Sequence, residues 1–237
     1  VHAAQLPGIA VRGIDCHIGS QITQAAPYLE AVDKVLEFVV QIEAAGITLQ
    51  HLDFGGGLGI QYQDEEPPKA DALWAKILAR LDARGFGERA IIIEPGRSLV
   101  GNAGVCLTQV LYLKQGEEKN FCIVDAAMND LPRPAMYQAY HAIVPLQLAP
   151  KSEVASLVYD VVGPVCEGGD WLGQERALQV QQDDLLAVLS TGAYCMSMAS
   201  NYNTRNRAAE ILVRGDEAVV VRQRDSFAQQ IANEILL

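Results

Sequence analysis

Three short stretches carry residue types that could do chemistry: CHIGSQ at 16–21, FGGGLG at 54–59 and EPGR at 94–97. Each follows an apolar run, and each falls where a strand would end. Gly55, Gly56 and Gly57 offer backbone N–H groups with no side chains in the way, which suits close approach of an anion. A dinucleotide does not fit. The G-x-G-x-x-G spacing started at Gly55 ends on Ile60, and started at Gly57 it ends on Tyr62. A nucleotide P-loop fails too, because no Gly-Lys-Ser/Thr follows. What remains is a phosphate held by backbone N–H groups without a nucleotide motif.

The elements that must position these stretches alternate. Residues 11–19, 49–54 and 89–94 read as strands, and 27–46 and 72–85 as helices. Leu29, Val32, Leu36, Val39 and Val40 recur at helical spacing in the first helix, and Gly46 suits its end. Leu73, Ile77, Leu78 and Leu81 do the same in the second. A β-α-β-α-β order implies parallel strands with right-handed crossovers, covered on both faces. Ligands of such folds bind at the C-terminal ends of the strands, where all three stretches fall. Beyond about residue 98 the pattern becomes β-rich. Residues 104–128 read as a hairpin turning at QGEEKN. Residues 157–163, 176–180, 184–190, 207–213 and 217–223 read as strands, and 226–235 as a terminal helix. The expected domains are 1–97 and 98–237.

The balance of charges, −11 over 237 residues, argues against non-specific nucleic-acid binding. No apolar run approaches the roughly 20 residues that span a bilayer. The five cysteines are scattered with no CxxC pair, so neither a metal site nor a disulfide framework is expected, and a reducing cytoplasm fits best.

Six blocks occur in order: CHIGSQ, GGG, EPGR, NDLPRPAMY (129–137), GPVCEGGD (163–170) and GAYCMSMASNYN (192–203). Together they resemble the diaminopimelate decarboxylases, fold-type III enzymes dependent on pyridoxal 5′-phosphate (PLP). The resemblance covers nearly the whole chain from Val11. It implies the late part of a PLP-binding (β/α)8 barrel followed by a β domain, working as a homodimer with shared active sites. The anion would be the PLP phosphate, held by Gly55, Gly56, Gly57, Ser20 and the backbone around Glu94 and Gly96. His17 would stack on the pyridine ring, and Glu94 would keep the ring nitrogen protonated, which favours decarboxylation over racemisation.

By the same resemblance, Arg97 would contact the cofactor and, with Arg133 and Tyr137, address the distal carboxylate of the substrate, a task suited to the planar arginine fork. Cys166 would donate a proton after CO2 leaves, Glu167 would hold the distal ammonium, and Tyr194 would reach the phosphate or substrate. Cys166 and Glu167 would act on the active site of the partner subunit. Cys16, Cys106, Cys122 and Cys195 read as structural thiols. The implied reaction is decarboxylation of meso-2,6-diaminopimelate to L-lysine. Decarboxylases of ornithine, arginine or carboxynorspermidine type are the alternative substrate classes.

The family's Schiff-base lysine, in a Tyr-Ala-x-Lys type motif, has no counterpart here. The lysines are Lys34, Lys69, Lys76, Lys114, Lys119 and Lys151, in helices, beside the hairpin turn or in loops. The first block matches a late barrel strand, so the chain reads as the C-terminal part of a longer enzyme, inactive alone. A non-catalytic homologue that dimerises is the alternative of another class.

Overall fold

The computed structural model describes residues 1–147 and 154–235. Lys151 lies outside them. The chain divides into two compact units, Val1–Val100 and Gly101–Leu237.

The first unit contains β1 (Gly13–Asp15), α1 (Ala25–Ala44), β2 (His51–Asp53), α2 (Ala70–Ala83), β3 (Ala90–Ile92) and α3 (Arg97–Val100). The strands form one parallel sheet in the order β1-β2-β3, with Gly13 opposite His51 and His51 opposite Ala90. They are three residues each, shorter than the expected runs, because Cys16–Gly19, Phe54–Gly57 and Ile93–Gly96 leave the ladder for the loops.

The helices pack as their periodicity requires. Val32, Leu36 and Val39 of α1 and Leu73, Ile77 and Leu81 of α2 join Leu49 and Leu52 in one core. Each such buried side chain contributes about 1.5–3 kcal/mol. Val40 and Leu78, expected on the same faces, are exposed, lying at the edges of their apolar stripes. Asp33 of α1 meets Arg80 and Arg84 of α2, and Arg89 pairs with Glu43 at 2.8 Å. Gly46 takes φ +82 just beyond α1, the conformation that stops a helix. The expectation of strands covered on both faces fails at β3, where Ala90 and Ile92 are exposed.

The second unit holds a six-stranded sheet in the order β6-β9-β4-β5-β7-β8. Its strands are β4 (Cys106–Lys114), β5 (Asn120–Val124), β6 (Ile143–Pro145), β7 (Leu157–Val162), β8 (Trp171–Leu178) and β9 (Leu185–Val188). β4 and β5 form the expected antiparallel hairpin, and β5 and β7 pair in parallel. Val110, Val124, Leu131, Val161, Leu172, Leu186 and Val188 build the core. A separate antiparallel hairpin, β10 (Glu210–Arg214) with β11 (Glu217–Arg222), follows. Helix α4 (Arg133–Tyr137) lies between β5 and β6.

The expected strand at 176–180 is the end of β8, which begins at Trp171, and β6 has no counterpart among the expected strands. The terminal helix shrinks from ten expected residues to α5 (Phe227–Gln230), started by a capping box of Ser226 and Gln229. No helix among the described residues is long and apolar enough to cross a membrane.

Candidate active site

Because β1, β2 and β3 run parallel in register, CHIGSQ, FGGGLG and EPGR emerge at one end of the sheet. The loops interlock there. The Glu94 N–H donates to the Gly55 carbonyl at 2.9 Å, and the Ile22 N–H to the Gly57 carbonyl at 2.9 Å. The Gly56 N–H donates to His17 Nδ1 at 3.2 Å, and the Gly55 N–H to Asp53 Oδ1 at 2.8 Å. Two of the three glycine amides are thus engaged inside the turn rather than turned to an anion. Accepting at Nδ1 leaves the proton of a neutral His17 ring on Nε2.

The glycines are there for clearance. A Cβ on Gly56 would drive into the Glu94 carbonyl oxygen, and one on Gly57, at φ +90, into the Gly19 carbonyl oxygen. From α1, the Tyr28 hydroxyl donates to the Gly56 carbonyl at 2.8 Å, and burial pushes its pKa up to about 12. Gly56→Ala in the protein expressed at full length is expected to cost about 1–3 kcal/mol, as overpacking does. Gly96→Ala, where a Cβ meets nothing within 4 Å, is expected to leave the melting temperature unchanged. Thermal unfolding of both variants checks the contrast.

Arg97 is buried beneath this end. Its Nη2 donates to Ser20 Oγ at 2.8 Å, its Nη1 bonds the Tyr62 hydroxyl, and its guanidinium lies 5.6 Å from the Tyr62 ring centroid. A cation and a hydroxyl therefore sit side by side. Beside Glu94, the carboxylates of Asp15 and Asp53 bring oxygens that all lie within 4.8 Å of one another. Sequence reading missed these two aspartates, although each is the last residue of its strand, level with Ile92 and two residues short of Glu94.

The second unit gathers the other three blocks. Asp170 is buried and accepts from the Val165 N–H and the Met128 N–H, both at 2.7 Å. It thereby ties the loop carrying Cys166 and Glu167 to the residues entering NDLPRPAMY. Burial raises its carboxyl pKa, and that of Asp130 likewise. Asn129 donates from Nδ2 to the Ser200 carbonyl at 3.2 Å, and Arg205 Nε donates to Asn129 Oδ1 at 2.9 Å. The Tyr202 hydroxyl reaches Glu167 Oε2 at 3.5 Å.

Cys166 and Glu167 are exposed, as is Tyr137. Tyr194 is held at φ +59, a left-handed conformation that costs a non-glycine residue energy and that gathers at functional sites. Arg133 is buried, with Nη1 2.7 Å from His141 Nε2. Of the thiols expected to be structural, Cys122 is fully buried, and Cys16, Cys106 and Cys195 are partly so.

The family model described as "Pyridoxal-dependent decarboxylase, pyridoxal binding domain" matches residues 1–101. Over 234 residues the chain is 53% identical to a diaminopimelate decarboxylase of Neisseria meningitidis serogroup A, covering 99% of this chain and 56% of the relative. The chain is thus similar to diaminopimelate decarboxylases along nearly its whole length. A Pseudomonas fluorescens diaminopimelate decarboxylase is 51% identical over 237 residues, 100% of this chain and 56% of its own. A crystal structure of the M. jannaschii diaminopimelate decarboxylase in complex with L-lysine aligns with TM-score 0.90 and 37% identity, over 100% of this chain and 54% of that one. The chain thus spans about half the length of the diaminopimelate decarboxylases it matches.

Proposed function

We propose that this chain supplies residues 1–97 as the late part of a PLP-binding (β/α)8 barrel and 98–237 as the β-rich domain of a diaminopimelate decarboxylase. The enzyme converts meso-2,6-diaminopimelate to L-lysine and CO2, as a cytoplasmic homodimer. One observation carries the reading. The same strand ends bring the Arg97 guanidinium into a hydrogen bond with Ser20 and gather three carboxylates around Glu94, which supports an anion site beside a cation site.

PLP fits this arrangement at both ends. Its phosphate needs a cation and a hydroxyl, which Arg97 and Ser20 offer. Three carboxylates packed this closely repel one another unless positive charge lies near, and a protonated pyridine nitrogen meets that need. When bound, PLP supplies an electron sink for the pair freed as the carbon–carboxylate bond breaks.

The chain's own groups do the rest. Glu94, backed by Asp15 and Asp53, holds the proton on the ring nitrogen, and His17 covers the ring face. Arg133 and Tyr137 take the distal carboxylate of the substrate, and Glu167 takes its distal ammonium. Tyr194 closes on the phosphate or substrate. The Cys166 thiol delivers a proton to the carbon that has lost CO2. In the homodimer, Cys166 and Glu167 serve the cofactor of the other copy.

The protein expressed at full length and loaded with PLP is expected to release CO2 and L-lysine one for one from meso-2,6-diaminopimelate. L-Ornithine and L-lysine, which lack a second carboxylate, should show kcat/KM roughly a hundredfold lower or less, because the arginine is then left unpaired. Comparable turnover of either diamine precursor would overturn the substrate reading. A PLP-loaded protein that turns over none of the three would point to a non-catalytic homologue.

A further inference from the structure

We infer that His141 is the positioning residue of Arg133, a neutral relay that ties the substrate-facing guanidinium to the sheet. The inference rests on the reading of Arg133 as the distal-carboxylate ligand. His141 is fully buried, at 0% exposure, yet lies in an irregular segment between α4 and β6. Both ring nitrogens are engaged: Nδ1 lies 2.9 Å from the Leu189 carbonyl oxygen, and Nε2 lies 2.7 Å from Arg133 Nη1.

The chemistry of the two partners fixes the ring. A carbonyl can only accept, so Nδ1 carries the hydrogen. A guanidinium can only donate, so Nε2 carries the lone pair. His141 is therefore a neutral imidazole in one tautomer. Moving the proton to Nε2 would set two donors against each other in a buried place, and so would a second proton.

The relay is anchored at its far end. Leu189 follows β9, and its N–H donates to the Ala142 carbonyl at 2.8 Å, so residues 141 and 142 are both fastened to it. The near end is stiff as well. Pro132 and Pro134 flank Arg133 and restrict its backbone. A flexible side chain is thus pinned at both ends, which fixes the plane of its fork before a carboxylate arrives. Such preorganisation lowers the ordering cost of binding.

The test compares L-lysine, which keeps the distal carboxylate, with cadaverine, which has none, as ligands of the PLP-loaded protein at full length. In the wild type L-lysine should bind more tightly. His141→Asn keeps a donor for Leu189 but cannot reach Arg133. It should lower the ratio of lysine to cadaverine affinity at least tenfold, raise KM for meso-2,6-diaminopimelate by a similar factor, and change kcat by less than threefold. His141→Gln carries an acceptor further out and should hold the ratio within threefold of wild type.

A merely structural role would weaken both ligands together. An unchanged ratio in His141→Asn, or equal loss in both variants, overturns the relay. If the wild type itself does not distinguish the two ligands, the substrate reading fails instead. Nitrogen-15 NMR of the wild type tests the tautomer directly and needs no variant to fold: a His141 ring protonated on Nε2 defeats the proposal, and one protonated on Nδ1 alone supports it.

Discussion

Glu94→Gln in the protein expressed at full length is expected to lower kcat about a hundredfold, on the order of 3 kcal/mol in the barrier, with PLP affinity changed far less. The carboxylate is held where it can act. Its backbone N–H is fixed to the Gly55 carbonyl, and its oxygens share a cluster with Asp15 and Asp53. An amide in its place fills the same space and leaves the proposed phosphate partners Ser20 and Arg97 untouched, but it removes the charge proposed to hold a proton on the ring nitrogen. Single-turnover rates and equilibrium titration with PLP separate the two effects. An unchanged kcat means that Glu94 is not the ring partner. A residual rate well above one per cent, lost when Asp53→Asn is added, would mean that the neighbouring carboxylates share the task.

The second large effect is a recovery rather than a loss. Cys166→Ala alone should abolish most activity, because the exposed thiol is the proposed proton donor. If Cys166 serves the other copy's cofactor, mixing Cys166→Ala protein with Glu94→Gln protein gathers both lesions into one of the two sites of each heterodimer. The other site is then intact. Random exchange makes half the dimers heterodimers, each with one good site, so about a quarter of wild-type activity should return. If each copy builds its own site, every site in the mixture carries a lesion and none returns. Exchange is checked independently by mass spectrometry of differently tagged copies.

Much of the first unit is legible in the sequence because its signals are local. The apolar spacing of Val32, Leu36 and Val39 and of Leu73, Ile77 and Leu81 places both helices, and the β-α-β-α-β order places the three loops together. The hairpin of β4 and β5 can be read from its turn for the same reason. What escapes is tertiary. Tyr62 lies 35 residues from its partner Arg97, and Arg205 lies 76 residues from Asn129. No spacing rule links them. Asp170 looks like the tail of a motif, yet its burial and two backbone donors make it the tie between blocks. Arg133 stands in a Pro-flanked stretch of the kind that often lies on the surface, and the structure buries it against His141. The short strands escape because apolar character continues past the point where the ladder ends, as at Ile93.

The order of strands in the larger sheet has a consequence for how the protein comes into being. β9 pairs with β4 from Cys106 to Val188, a separation of 188 − 106 = 82 residues. Closing a flexible loop of that length costs roughly 4 kcal/mol in chain entropy before any contact rewards it. Leu189, the carbonyl that fixes the His141 tautomer, sits just beyond that strand. On a ribosome adding about 5–20 residues per second, Arg133 emerges several seconds before the strand on which its orientation depends. Until β9 docks, the proposed relay has no anchor, so the proposed recognition of a carboxylate by Arg133 belongs to the late stages of folding rather than to the local sequence around the arginine.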